Sequence, residues 1–360
     1  MDKQSRAIDP EKMKALVERV FGILGGAVTA GMIHLGDRLG LYRALAGAGP
    51  LTSDALARKT ELHERWVREW LQGQAVTGLV DYAGAGRFAL AREGAMVLSD
   101  EESPFFAAGG FCALPQQMAV LDRLPESFRT GVGLPYDAFG PEGAIGVERL
   151  LAPWFRTQLV PIALPALDGV VEKLETAAMV ADIGCGAGVA LIKMATAYPR
   201  SEFHGYEIST HALARAEENR RAAGVRNVTF HDANGDALPG DARFDFVTTF
   251  DCIHDMAKPA PVIRAIRGAL KADGTWLIAD INCKATFEEN LADNPLAPLM
   301  YGFSVLCCMS SALSEPNGAG LGTLGFTEPV ARRMIAEAGF SRFKRHDFEN
   351  PFNAYYEVRP

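Results

Sequence analysis

The sequence predicts an α/β chain in which a mostly helical N-terminal module precedes an open, largely parallel sheet. Three observations predict it. An apolar strand, a glycine turn and an amphipathic helix follow one another over residues 180–198. Four further strand-like segments alternate with helical patterns after it, the rhythm of a βαβ sheet. Ahead of these, residues 51–90 read as helix, turn, helix and short hairpin. At 360 residues the chain is long for one core, so more than one domain is expected, with limits at 1–100, 101–163 and 164–360.

The first element is helical, from Pro10 to about Leu45. Leu16, Val20, Leu24, Val28, Met32, Leu35 and Leu39 recur at steps of three or four and form one stripe. Gly25, Gly26, Ala27, Ala30 and Gly31 leave room for a second helix to approach. The stripe fits either a helix buried within the monomer or one that meets another subunit. The apolar run of residues 21–33 reads as too short to cross a bilayer, and the charged start has no signal-peptide layout. No membrane segment is expected.

Thr52 or Ser53 is placed to cap a helix from Asp54, and a second helix runs over about 64–77. Residues 79–82 and 87–90 alternate around Ala-Gly-Ala-Gly as a hairpin. Helix-turn-helix plus hairpin is a winged helix. Nucleic-acid binding is not expected of it. Over 51–100 there are six basic and seven acidic residues, and the whole chain carries a net charge of −8, whereas affinity for phosphate backbones needs a basic face. The second helix also holds Trp66, Val67, Trp70 and Leu71, which favour burial. Dimerisation and covering of a substrate suit the module better.

Residues 101–175 read as largely helical. Phe105, Phe106, Phe111, Met118, Tyr136, Phe139, Trp154 and Phe155 suit either an apolar pocket or plain core. The six cysteines show no Cys-x-x-Cys pairing and no histidine at metal-ligand spacing. Neither a metal site nor a disulfide framework is expected, and a reducing cytoplasm fits.

The decisive motif is Val180-Ala181-Asp182-Ile183-Gly184-Cys185-Gly186-Ala187-Gly188. A strand ending in a turn too tight for side chains lets backbone amides approach a ligand's carboxylate at a helix N-terminus. Asp182 offers a carboxylate toward an ammonium. Val189 stands where a dinucleotide fingerprint has its third glycine, which argues against NAD. The companions come in order: Phe203 to Ile208 as a strand ending in Glu207, 25 positions after Asp182, then Val228 to Phe230, Phe244 to Phe250, and Leu270 to Asp280 as helix end, turn and strand. A carboxylate at the tip of the neighbouring strand is what a ribose hydroxyl pair needs.

This succession, from about Leu164 to the C-terminus, resembles the class I S-adenosylmethionine-dependent methyltransferases. With the N-terminal module, the whole chain resembles the small-molecule O-methyltransferases that carry a winged-helix front. The resemblance implies a Rossmann-like sheet of seven strands, the last antiparallel, and S-adenosyl-L-methionine as cofactor. Residues 343–346 and 354–358 suit the final hairpin. Carried over by position, Asp182, Gly184, Gly186 and Gly188 would face the methionine part of the cofactor. Glu207 would take the ribose, Ile208 would pack on the adenine, Asn234 would meet the adenine amino group, and Phe250 would lie beside the cofactor. At Asn234 the family usually has an aspartate, and Asp232 and Asp236 flank the position.

A hydroxyl nucleophile needs its proton removed, and a placed base speeds that by roughly 10²–10⁴. His254, just past the fourth strand in Asp251-Cys252-Ile253-His254-Asp255-Met256, stands at the carboxyl edge where ligands of open sheets sit. The segment resembles the His-Asp-Trp stretch of plant-type O-methyltransferases, with Met256 for the tryptophan, which implies His254 as general base. Asp255 and Asp280 are candidates to orient it. Cys307 and Cys308 have nothing nearby in sequence to lower their pKa, so no thiol chemistry is expected. The expectation is a small-molecule methyltransferase, a homodimer, acting on an apolar acceptor. The rival is a transcriptional regulator that binds the same cofactor, or transfer to nitrogen, sulfur or carbon.

Overall fold

The computed structural model describes residues 8–360, so most of the charged start lies outside the described residues. The chain divides into two compact units between Leu114 and Pro115.

The first unit opens on the 29-residue helix Pro10–Arg38. Asp9 caps it, its carboxylate accepting from the amides of Glu11 and Lys12 at 3.0 and 3.2 Å. Gly40, at φ +70°, stops the helical run before a short helix Leu41–Leu45. Of the two readings of the stripe, burial within the monomer is overturned. Leu16, Val20, Leu24, Val28, Leu35 and Leu39 are all exposed. Only the C-terminal end of the helix is packed, where Ile33 and Gly36 are buried. A Cβ on Gly36 would lie 2.5 Å from the Trp70 ring, so that crossing requires glycine. The helix also extends well beyond the apolar run 21–33. By length and composition alone it is long enough to cross a membrane.

The winged module forms as expected, with helices Ser53–Thr60 and Glu64–Val76. Thr52 is the cap, its hydroxyl accepting from the Ala55 amide at 3.2 Å. Strands β1 (Leu51–Thr52), β2 (Asp81–Gly84) and β3 (Arg87–Ala89) make an antiparallel sheet in the order β1-β3-β2. Leu41, Tyr42, Leu56, Val67, Trp70, Leu71 and Phe88 are its core, each large apolar side chain contributing roughly 1.5–3 kcal/mol on burial. Trp66 departs from expectation: it is 78% exposed, because Val67, Trp70 and Leu71 take the inner face and residue 66 points away from it.

The second unit is built on a seven-stranded sheet. Its strands are β4 (Met179–Ile183), β5 (Glu202–Glu207), β6 (Val228–Asp232), β7 (Phe244–Phe250), β8 (Leu270–Ile281), β9 (Arg342–His346) and β10 (Asn353–Arg359), in the order β6-β5-β4-β7-β8-β10-β9. Strands β4 to β8 pair in parallel, and β10 runs antiparallel to both β8 and β9. The central strand β4 is buried from Val180 to Ile183, as befits a strand covered on both faces. Its alternate residues feed two cores. Val180, Phe246, Phe250, Leu277 and Tyr355 pack on one side, and Ala181, Ile183, Val247, Trp276 and Tyr356 on the other. Residues 270–274, expected as helix end and turn, already belong to β8. A register shift between Phe244 and Phe246 absorbs the extra length.

Helix Gly140–Trp154 continues into a wide π-helical stretch, Phe155–Ala163. Pro153 and Pro161 lack the amide protons that α-helical hydrogen bonds would need there. A second π-helical stretch, Ser304–Cys308, lies between helices Ala297–Phe303 and Met309–Ala312. Both stretches border the site described next.

Candidate active site

The loop after β4 is held by backbone geometry. Gly184, Gly186 and Gly188 all have positive φ, at 70, 53 and 73°, a region that side chains strain to enter. Their surroundings differ. A Cβ on Gly184 would lie 2.7 Å from Cys252, and one on Gly188 would lie 2.5 Å from Phe230. Beside Gly186 such an atom would meet nothing within 4 Å. Gly184 and Gly188 therefore face the packed interior, while Gly186 faces open space. Gly188 leads into helix Val189–Ala197 with no side-chain cap, leaving first-turn amides available to an anion.

Glu207 ends β5 and is buried. Its Oε2 accepts from the Gly186 amide at 2.8 Å, and its Oε1 accepts from the amides of Ile208 and Ser209 at 2.8 and 2.9 Å. Burial raises its pKa, against the pull of those three amides. Asp182 is also buried, with Oδ1 accepting from the Thr248 hydroxyl at 2.7 Å. Burial pushes its pKa up to about 7. Ile208 is 55% exposed, available for a flat ring to rest on. Asn234 is exposed, and its amide nitrogen donates to the Ile208 carbonyl at 2.9 Å and to Asp232 at 2.8 Å. Its side-chain oxygen is the acceptor that an amino group would need. Phe250 is buried in an aromatic group with Phe155, at 4.9 Å between ring centroids, and Trp154, at 6.1 Å. Trp154 Nε1 is a buried donor without a hydrogen-bond partner.

These residues fit a nucleoside joined to an amino acid. An open approach at Gly186, a helix N-terminus, a carboxylate at the tip of the next strand and an unpaired indole donor each match one part of such a ligand.

The loop after β7 carries the second group. His254 lies in the turn Ile253–Asp255 and is 2% exposed. Its Nδ1 meets Asp280 Oδ1, near the end of β8, at 2.7 Å. Of the two carboxylates considered for orienting the ring, Asp280 is the one that contacts Nδ1. Burial works against a charged ring, but Asp280 and Cys308 outweigh it and hold the imidazole pKa well above 6.5. Asp255 faces the same group, and burial raises its carboxyl well above the usual range despite His254. Asp251, at φ +50°, accepts from Asn353 Nδ2 at 2.5 Å. Burial and then Asp280 lift its pKa to about 7.

Cys308 corrects the reading of the thiols. Its pKa is lowered well below 9.0, first by its hydrogen bond with Cys307, against burial, and further by His254 and Thr323. The largest cause is thus the adjacent Cys307, and the imidazole that adds to it lies 54 positions upstream in the chain. One more residue carries no sequence signal. Asp137 accepts hydrogen bonds from the hydroxyls of Ser209 and Thr210, tying residues 136–139 to the end of β5. Tyr136, whose hydroxyl pKa burial drives far up, faces Cys307, Asp255 and Glu207. Of the aromatic residues expected to line a pocket, Trp154, Phe155 and Tyr136 join the site, whereas Phe105 and Met118 are exposed. In the insertion after β8, Val305, Leu306 and Cys307 pack on Val120, Leu124 and Phe139, while Tyr301 remains exposed.

Residues 174–312 match the methyltransferase domain family, and residues 27–100 match the Rv2258c-like winged HTH domain family. The mitomycin biosynthesis 6-O-methyltransferase of Streptomyces lavendulae is 36% identical over 118 residues, 32% of this chain and 34% of that protein. The chain thus spans about a third of that relative, and about half of the ubiquinone biosynthesis O-methyltransferase of Leptothrix cholodnii. Among solved structures, human N-acetylserotonin methyltransferase in complex with SAM superposes with a TM-score of 0.68 at 16% identity, covering 99% of both chains. Mitomycin 7-O-methyltransferase superposes with a TM-score of 0.67 at 22% identity, covering 98% of this chain and 100% of that one. At these identities the superpositions establish the fold. The two matches come in the expected order, so the chain carries a methyltransferase domain behind a winged HTH domain, as class I S-adenosylmethionine-dependent methyltransferases with a winged-helix front do.

Proposed function

We propose that this protein transfers a methyl group from S-adenosylmethionine to an oxygen of an apolar small-molecule acceptor, with His254 as general base. S-adenosylmethionine, when bound, supplies a sulfonium methyl that is already activated. The chain's part is to place the two reactants and to move one proton. Positioning alone is worth roughly 7–11 kcal/mol of a barrier.

The observation that carries this reading is convergence on one sheet edge. The loop after β4 and Glu207 lie on one side, and the His254–Asp280 pair lies on the other, at the carboxyl ends of β7 and β8. Glu207 would accept from the ribose hydroxyls, Asp182 would favour the ammonium, and the first turn of the following helix would receive the carboxylate, with Gly186 leaving room for it. Ile208 and Asn234 would serve the adenine. Asp280 fixes the ring of His254, leaving Nε2 to take the acceptor's proton. Asp255 and Tyr136 would border the acceptor, and residues 115–163 would help to cover it.

The exposed apolar face of helix Pro10–Arg38 supports a homodimer, with a second copy of the helix covering it. Arg65 and Arg68 are held by Glu69 and Glu64, each at 2.6 Å. Helix Glu64–Val76 therefore keeps little free positive charge for a phosphate backbone, and the reading includes no nucleic-acid partner. All six cysteines are free, which fits a reducing cytoplasm.

Calorimetric titration with S-adenosylmethionine and with S-adenosylhomocysteine tests the core of the proposal. One site per chain for each is expected. Absence of heat with both would overturn it.

A further inference from the structure

We propose that Asp251, His254 and Asp280 form a divalent-cation site. One ligand atom from each lies within 4.8 Å of the others, and these three form the one such cluster among the described residues. A cation held about 2.1 Å from each ligand needs them within roughly 4.2 Å, so the ligands would draw slightly together on binding. The second, independent observation is Asp280 Oδ2. Asp280 is 1% exposed, and its Oδ1 takes both the His254 ring and the Ile281 amide, at 2.7 and 2.8 Å. Oδ2 has no partner at all. A buried carboxylate oxygen without a donor is costly, and a cation relieves it directly.

Charge points the same way. Asp251, Asp255 and Asp280 face a single imidazole. Carboxyl groups gathered around one ring are the donors that a divalent cation takes up as their protons leave. Two carboxylates with one imidazole suit Mn²⁺, Fe²⁺ or Zn²⁺ better than Mg²⁺. A cation seated on His254 Nδ1 leaves the neutral ring's one proton on Nε2, so an occupied site silences the base. That consequence rests on the reading of His254 as base. The binding itself does not.

The test is titration of the chelator-treated full-length protein with MnCl₂, counting free Mn²⁺ by electron paramagnetic resonance. One ion per chain is expected, with paramagnetic broadening of the His254 ring resonances. Asp280→Asn and Asp251→Asn should each weaken binding at least about tenfold. Asp251 is only half-buried, so its variant serves where Asp280→Asn fails to fold. No binding by the wild type, or binding that both variants retain, would overturn the site. Methyl transfer should fall as Mn²⁺ is added and return with EDTA. Unchanged turnover with the site filled would overturn its silencing of the base. Turnover in EDTA that does not depend on His254 would instead overturn the base and leave the cation site standing.

Discussion

The loops after β4 and after β7 emerge from neighbouring strands of one sheet, yet they are assembled differently. Around the first, the partners are close in sequence: Gly186, Glu207, Ile208 and Ser209 fall within two successive βα units. Around the second, His254 draws on Asp280 from the next strand and on Cys308 from an insertion beyond it. The half that would hold the donor depends on backbone geometry. The half that would hold the acceptor depends on side chains brought from afar. One can stay fixed while the other changes, which is how a shared fold hosts many acceptors.

Substitutions that separate the two halves test this contrast. The largest effect is expected from His254→Ala, which should lower turnover by roughly 10²–10⁴ while donor affinity, read by calorimetry, stays at the wild-type value. A matching loss of donor affinity would erase the distinction between the halves. On the other side, Glu207→Ala should weaken donor binding by about 1.5–3 kcal/mol, because the ribose loses its charged acceptor and the Gly186 amide its anchor. Turnover at saturating donor should change far less.

Asp280→Asn sharpens the second half through its pH profile. As the proposed base, His254 is active only when neutral, and its folded pKa lies above 6.5. The wild-type rise in kcat/KM should therefore fall on the alkaline side of an ordinary histidine. Removing the carboxylate lowers the ring pKa, so the rise should move to lower pH while the plateau drops. A rise that stays in place would show that Asp280 does not set the ring's proton affinity. The smallest effect on folding belongs to Leu24→Glu on helix Pro10–Arg38, a change at an exposed position that should alter monomer stability by no more than about 0.5 kcal/mol. Light scattering should nonetheless show the dimer dissociating, with donor affinity intact.

The same contrast explains what was legible in the sequence. Strands β4 to β8 were readable because each is a short apolar run bounded by glycine or polar residues, and Glu207 because it ends one of them. The winged module was readable from its caps and turn. Trp66 was misread because helical spacing alone does not say where the buried arc ends, and residue 66 lies just beyond it. Residues 270–274 resembled a turn through Asp273-Gly274, and of them only Leu270 pairs with β7, opposite Phe244, before the register shift. The stripe of the first helix was visible, but whether water or protein covers it is a tertiary fact. Asp280 was one of two options until the parallel register of β7 and β8 put Phe250 opposite Ala279 and so set Asp280 beside the turn holding His254. Cys308, Tyr136 and Asp137 reach the site across 54 to 118 positions from His254, a distance over which periodicity carries no information.

The wide turn at Ser304–Cys308 has a consequence for how this wall of the site can change over evolutionary time. A π-helical stretch holds one more residue than an α-helix over the same rise. Losing a single codon there would restore the ordinary winding with the downstream turns kept in phase, and would move the side chains of the stretch itself by one place. Cys308 would swing away from the imidazole and a different residue would take its place, so a one-residue deletion could remodel acceptor preference more abruptly than a point substitution.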